Sequence, residues 1–319
     1  MTARAMTTEH LRRALPWLLL AAAVAFPWAA GALDQSFYIG VVRRVLIFAI
    51  AATSLNFILG YGGMVSLGHA AFFGVGAYTV GVLATEGIAS AWIAWPLAGA
   101  VAAAAAMAIG AVSLRTRGVY FIMITLAFAQ MVYYVAVGLK RYGGEDGLNL
   151  PARSTLGFGI DLNSDAVFYY VVLAILVAVL VVFDRMLDAR FGRALVGIRE
   201  NEGRMESLGY PTFGFRLTAF AVAGGVAGLA GALFANHNLF VSPSALHWTQ
   251  SATFVVMVIL GGIGYRYGGV LGALVLLLLE EVLAAYTEFW HLPLGVLLLA
   301  VVFFAPHGLS GWLERRAER

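Results

Sequence analysis

The feature that most limits what this chain can fold into is a succession of apolar runs. Each is close to the roughly 20 residues a helix needs to cross a bilayer core of ~30 Å. Ten can be drawn, at about 15–33, 38–60, 64–84, 89–113, 118–139, 166–183, 213–235, 249–265, 269–287 and 291–306. Unsatisfied backbone groups are not tolerated in hydrocarbon, so these runs are expected as helices. Composition agrees, with 12% charged residues against about 25% in soluble domains. The expectation is an all-α integral membrane protein of about ten transmembrane helices. Residues 1–319 form one transmembrane domain, with tails at 1–14 and 307–319 and one polar interior segment at 184–212. The absence of cysteine excludes disulfides, thiolate metal sites and cysteine nucleophiles. The first run also reads as a signal peptide with Ala30-Gly31-Ala32 as its cleavage site, which leaves the remaining orientation unchanged.

Orientation follows from the basic residues. With an inside N-terminus and ten spans, 15 of the 20 lysines and arginines fall inside: Arg4, Arg12, Arg13, Arg115, Arg117, five from Arg185 to Arg204, Arg216, Arg266, Arg315, Arg316 and Arg319. Lys140, Arg141 and Arg153 fall outside, and Arg43 and Arg44 lie near the outer end of span two. Both termini are then cytosolic, and the high pI reflects topology rather than nucleic-acid binding. Spans two to five and seven to ten are equal in number and start from opposite sides, which permits an inverted repeat about an in-plane axis. Gly224, Gly228, Ala227 and Gly231 form small-xxx-small pairs that let helices approach closely. Gly60, Gly62, Gly63, Gly68, Gly74, Gly76 and Gly81 crowd the third span, which is expected to be bent or partly unwound. Such backbone is tolerated at membrane depth only when buried or facing water.

The interior segment is the one extended, strongly charged stretch. A helix over Arg193–Leu208 would place Ala194, Ile198, Asn201, Met205 and Leu208 on one face. Arg193, Arg199, Glu200, Glu202, Arg204 and Glu206 fall outside that face, and Gly209 with Pro211 supplies a stop. Gly197 and Gly203 weaken this helix by roughly 1 kcal/mol each, so a cytosolic partner is expected to hold it; a solvated loop is the alternative.

Polar groups within spans are costly and therefore informative. Asn56, Ser66 and His69 cluster at the glycine-rich bend, where they either line a solute path or bond neighbouring helices. Glu280 and Glu281 sit mid-span. Glu280 shares a face with Gly269, Ala273 and Ala284 and is expected to point into the bundle, as a proton-coupling carboxylate or as a partner for Arg216 or Arg266. No G-x-x-x-x-G-K-[ST], H-E-x-x-H or G-x-S-x-G is present, and the single lysine, Lys140, follows no phosphate-binding loop. GGIGYRYGG at Gly261–Gly269 reads as a tight turn or close helix contact. No catalytic or metal-binding constellation emerges.

Leu55–Thr79, LNFILGYGGMVSLGHAAFFGVGAYT, closely resembles the signature of branched-chain amino-acid ABC-transporter permeases, in particular the longer, M-type subunit of the high-affinity system. TLAFAQM, GGEDGL, FGRALVGIRENEGRMESLG, LTAFAVAGGVAGLAGALFA, VSPSA, VMVILGGIGYRYGGVLGA and FFAPHGLSG follow in family order over nearly the whole chain. The resemblance implies a second related permease, two cytosolic ATPase subunits that bind ATP and magnesium, an extracytoplasmic solute-binding protein, and an all-helical inverted repeat in the membrane. No cofactor is implied in this chain.

By the same resemblance, Arg193–Tyr210 correspond to the segment that seats in an ATPase groove. The coupling residues are Arg193, Ala194, Ile198, Arg199, Glu200, Asn201, Glu202, Met205, Leu208 and Gly209. Ser66, Gly68, His69, Phe72, Gly74 and Tyr78 match the glycine-rich membrane motif, expected with Asn56 to line or shape the translocation path. Met64 stands where the family usually has glutamine, Gly261–Gly269 lacks the usual serine and proline, and Asp146 replaces a frequent asparagine. Related permeases carry urea, short amides and other amino acids. The resemblance thus implies an amino-acid importer of the bacterial cytoplasmic membrane. Its rivals are a self-sufficient proton-coupled carrier using Glu280 and, less favoured by the residues, a polytopic enzyme.

Overall fold

The computed structural model describes residues 20–28, 31, 36–157, 161–286, 289, 291–304 and 308–311. The sequence readings at Arg4, Arg12, Arg13, Ala30, Ala32, Arg315, Arg316 and Arg319 lie outside these residues. A helical segment at 20–28, here α1, precedes α2 (Ser36–Asn56), α3 (His69–Thr85), α4 (Ala91–Ser113), α5 (Val119–Gly138) and α6 (Asp165–Asp188). Two short helices, α7 (Arg190–Glu200) and α8 (Glu202–Ser207), lead to α9 (Thr212–Asn238), α10 (Trp248–Gly261), α11 (Gly268–Tyr286) and α12 (His291–Phe304).

Among the described residues six helical stretches are long and apolar enough to cross a membrane: Phe37–Tyr61, α4, α5, α6, α9 and α11. The expected spans at 64–84 and 249–265 are instead shorter helices of 17 and 14 residues, α3 and α10. Each has irregular backbone at one end, residues 62–68 before α3 and residues 262–267 after α10, both rich in glycine. The first run is helical at 20–28, where the Tyr169 hydroxyl donates to the Ala23 carbonyl at 2.7 Å and Tyr170 to Val24 at 3.0 Å.

The buried centre is built on α2 and α9. Of their most apolar windows 83% and 61% are buried, against 22% for α5. Small residues make this possible: a Cβ at Gly76 would strike the backbone of Gly228, one at Gly231 the Phe73 carbonyl, and one at Gly224 the Ala106 side chain. In lipid, where apolar burial alone cannot drive helices together, such close backbone approach supplies the packing energy. The packing comes in matched sets. α4 lies on α9 as α11 lies on α2, α3 on α4 as α10 on α11, and α3 on α9 as α10 on α2.

Ion pairs and hydrogen bonds sort the connections to two ends. At one end Arg43 bonds Asp165 (2.8 Å) and His237 (2.9 Å), Arg153 bonds Asp165 (2.7 Å), and Arg141 bonds Glu86 (2.8 Å). The guanidiniums of Arg43 and Arg153 both lie over the Phe168 ring, at 5.0 and 5.1 Å. A two-stranded antiparallel ribbon, β1 (Leu148–Asn149) with β2 (Phe240–Val241), closes that end, pairing Leu148 with Val241. At the other end Arg117 and Arg216 meet Glu202, and Arg266 meets Asp184 and Asp188. This separation agrees with the division of arginines read from the sequence.

Candidate functional site: a broken-helix junction tied to the polar segment

The helix of α2 does not stop cleanly. It widens into a π turn over Phe57–Tyr61 and then unwinds through Gly62–Gly68 before α3 begins at His69. A second unwound stretch, Gly262–Tyr267, separates α10 from α11. Local unwinding exposes backbone groups that lipid cannot satisfy, and four buried polar side chains meet that demand. The Asn56 side-chain amide donates to the Tyr265 carbonyl at 2.8 Å and its oxygen accepts from the Gly264 N–H at 2.9 Å. Ser66 Oγ accepts from the Gly68 N–H (3.1 Å), Ser251 Oγ accepts from the Ala70 N–H (2.8 Å), and Ser310 donates to the Gly261 carbonyl. Asn56 therefore clasps the two unwound stretches together. Gly60 and Gly264 touch there: a Cβ on Gly60 would lie 2.5 Å from Gly264 Cα, and Gly264 has φ +78°. Only glycine combines that close approach with a left-handed backbone.

The other membrane-motif residues are packed beside this junction. His69 is fully buried, and its Nε2 lies 2.7 Å from Ser54 Oγ, which itself donates to the Ala51 carbonyl. The serine proton being used, His69 must donate through Nε2–H, leaving Nδ1 as an acceptor without a partner. Phe72 stands edge-on to His69 and to Phe220. Gly74 abuts Leu246, and a Cβ on Gly68 would meet the Thr125 carbonyl at 2.9 Å. Tyr78 is buried with an unpartnered hydroxyl. The structure thus brings Asn56, Ser66, Gly68, His69 and Phe72 together, with Gly74 and Tyr78 farther along α3. None of the seven lines the cavity beside Gly62–Val65, and Asn56 alone borders a smaller one, with Phe57, Asp184 and Arg266. Ser54, Ser251 and Ser310 were missed by sequence reasoning, since a lone serine in an apolar run carries no positional signal.

The polar segment departs from the single helix expected over Arg193–Leu208. It breaks at Asn201, which adopts φ −157°, ψ 95° and caps α8 by accepting from the Arg204 N–H at 2.9 Å. A side chain that satisfies the first turn of a new helix competes with continuation of the old one. α8 then folds back on α7, with Met205 over Gly197. The expected free apolar face is not free: Ala194 and Ile198 are 5% and 4% exposed, packed within the chain along with Leu195. Arg193 and Glu200 are exposed, Met205 is half-buried, and Gly209 (φ +83°) ends the segment. The accessible apolar side chains are Leu208 (67% exposed) and Tyr210 (43%).

Two contacts join this segment to the membrane junction. Arg199 donates to the Gly60 carbonyl, its stem lying against Gly63, which has φ +67°. Glu202 accepts from Arg216 at the start of α9 at both oxygens (3.2 and 3.3 Å) and forms an ion pair with Arg117, just before α5, at 3.2 Å. Between them a cavity of about 220 Å³ opens, walled by Gly62–Val65, by Arg117, Gly118, Phe121 and Ile122, by Ile198 and Arg199 of α7, and by Glu202 and Arg216. Glu280 does not partner Arg216 or Arg266 as expected. Its carboxylate faces Arg44 on α2 at 3.2 Å, because one turn of α2 runs beside α11 while both other arginines are taken at the opposite end. Glu281 is half-buried. Among the described residues no group of three or more histidines and carboxylates gathers as a metal site.

Residues 37–305 match the family model described as "Branched-chain amino acid transport system / permease component". The chain is 32% identical over 317 residues to the high-affinity branched-chain amino acid transport system permease protein LivM of Salmonella typhimurium, covering 91% of this chain and 73% of the relative. The Escherichia coli protein of the same name gives the same identity and coverage. A probable branched-chain amino acid transport permease protein LivM of Methanocaldococcus jannaschii is 25% identical, over 82% of this chain and 90% of the relative. No solved structure matches the chain significantly.

Proposed function

The chain belongs to the permease-component family of branched-chain amino acid transport systems, and from that premise we propose that it is the membrane subunit of an ABC importer. It moves branched-chain amino acids inward across the bacterial cytoplasmic membrane by alternating access. Separate ATPase subunits supply the energy, a second permease completes the pore, and an extracytoplasmic protein delivers the solute.

The observation that carries this reading is the bond from Arg199 to the Gly60 carbonyl. It ties the charged segment at 184–212 to the π turn that leads into one of the two unwound stretches. ATP can shift a conformational equilibrium only through contacts that differ between states, and this is a contact through which a docked motor would pull. Leu208 and Tyr210 offer the exposed apolar anchor for an ATPase groove, while Ala194 and Ile198 fix the segment to its own membrane domain. The buried motif residues give the unwound backbone its shape, and the solute runs beside them. The matched helix packings support an inverted repeat relating α2–α5 to α9–α12, and the arginine-rich end is cytosolic.

Reconstitution tests the proposal. Vesicles holding this chain with its second permease, ATPases and binding protein should accumulate leucine with ATP. Accumulation by the isolated chain without ATP would overturn it in favour of a self-sufficient carrier.

A further inference from the structure

The geometry points to a second ligand site in this chain, a receptor for a small aliphatic amino acid at the cytosolic mouth of the junction; its sidedness and ligand class rest on the transport reading above. The cavity beside Gly62–Val65 measures about 220 Å³. At ~30 Å³ per water that is room for roughly seven waters, below the ~300 Å³ at which drug-sized pockets begin. A free amino acid fits; a nucleotide or peptide does not.

Its lining combines two chemistries. It includes Arg117, Arg199 and Arg216 with the single carboxylate of Glu202, a net excess of two positive charges. It also includes the apolar side chains of Phe121 and Ile122. Arg117 is 70% exposed and commits one nitrogen to Glu202, leaving donors for a bidentate grip on a carboxylate. Glu202 Oε2 faces both Arg216 and Arg117, while Oε1 meets Arg216 alone, which leaves Oε1 a lone pair for an ammonium group. An α-amino acid with a branched side chain satisfies all three features: carboxylate on Arg117, ammonium on Glu202, hydrocarbon on Phe121 and Ile122. The lining also joins α8 to the start of α5 through Glu202 and Arg117, so a bound amino acid favours whichever state holds α8 there. Leucine accumulating on the cytosolic side would then slow its own import.

The test uses the solubilised permease–ATPase complex without binding protein. Radiolabelled L-leucine should bind saturably and lower ATP hydrolysis. Isoamylamine, which lacks the carboxylate, and inorganic phosphate should not displace it. Arg117→Gln should weaken binding about tenfold, the loss of one charge-assisted pair, and Ile122→Trp should abolish it by filling the cavity. Should the tryptophan variant fail to assemble, the exposed Arg117 position carries the test. Absence of saturable binding, equal displacement by phosphate, or binding unchanged by Arg117→Gln would overturn the inference. ATP-driven uptake by the wild-type system is scored separately. Uptake without cytosolic-side binding sinks only this site, whereas cytosolic-side binding with no uptake sinks the transport reading.

Discussion

Replacing Asn56 by leucine should break the clasp between the two unwound stretches while keeping the branched shape and heavy-atom count of the side chain. Asn56 is 2% exposed and makes two hydrogen bonds, to the Tyr265 carbonyl at 2.8 Å and from the Gly264 N–H at 2.9 Å. Both partners are backbone groups with no side chain to reorient. Orphaning a buried polar group costs ~1–3 kcal/mol, giving at most ~6 kcal/mol for the pair. Hydrogen bonds between membrane helices average ~0.6 kcal/mol, giving at least ~1 kcal/mol. Because the Asn56 bonds run to irregular backbone with few alternative partners, an intermediate loss of about 2–4 kcal/mol is expected. Reversible unfolding in mixed micelles measures it, alongside leucine uptake by the reconstituted system. Gly60→Ala supplies an independent route to the same contact, since its Cβ would lie 2.5 Å from Gly264 Cα. The two changes should be non-additive, the double variant losing less than the sum. A leucine variant within ~0.5 kcal/mol of wild type, with full uptake, would refute the claim that this clasp holds the junction.

Other outcomes follow from the same geometry. Arg199→Met keeps most of the stem over Gly63 but removes the donor to Gly60, so ATP hydrolysis by the assembled complex should persist while uptake falls; equal loss of both would show that Arg199 serves assembly. Leu208→Asp should prevent co-purification of the ATPases while leaving thermal stability near wild type, whereas Ile198→Asp, at 4% exposure, should lower the unfolding temperature of the permease itself. The reverse pattern would return the docking face to Ile198. Glu280→Gln loses the ion pair with Arg44 but should retain ATP-driven uptake, and loss of uptake by a normally assembled complex would favour proton coupling instead.

Much of the architecture was legible because a bilayer imposes simple accounting on a chain. Twenty apolar residues mean a helix, and arginines sort to one side, so the membrane character and the segregation of Arg117, Arg216 and Arg266 from Arg141 and Arg153 could be read directly. Glycine density around Gly60–Gly68 marked unwinding for the same reason, since closely spaced glycines weaken a helix that lipid would otherwise enforce. The amphipathic pattern of 193–208 misled. Periodicity reports that a face is apolar, not what covers it, and Ala194 and Ile198 are covered by the chain's own helices. Asn201 could have been read as a cap as easily as a face residue.

Sequence alone determined that this chain lives in a membrane, that its glycine-rich third span is bent or partly unwound, and that one charged segment interrupts its apolar runs, because each of these depends on composition within a short window. That the break ends at Gly68 and leaves Gly74, Gly76 and Gly81 in a regular helix was decided by packing. Only the tertiary structure decided that Asn56 reaches Gly264, that Arg199 reaches Gly60, and that Glu280 faces Arg44. Those pairings span 139 to 236 residues. They depend on how far glycine contacts let α2, α9 and α11 approach one another, a distance that no local pattern encodes.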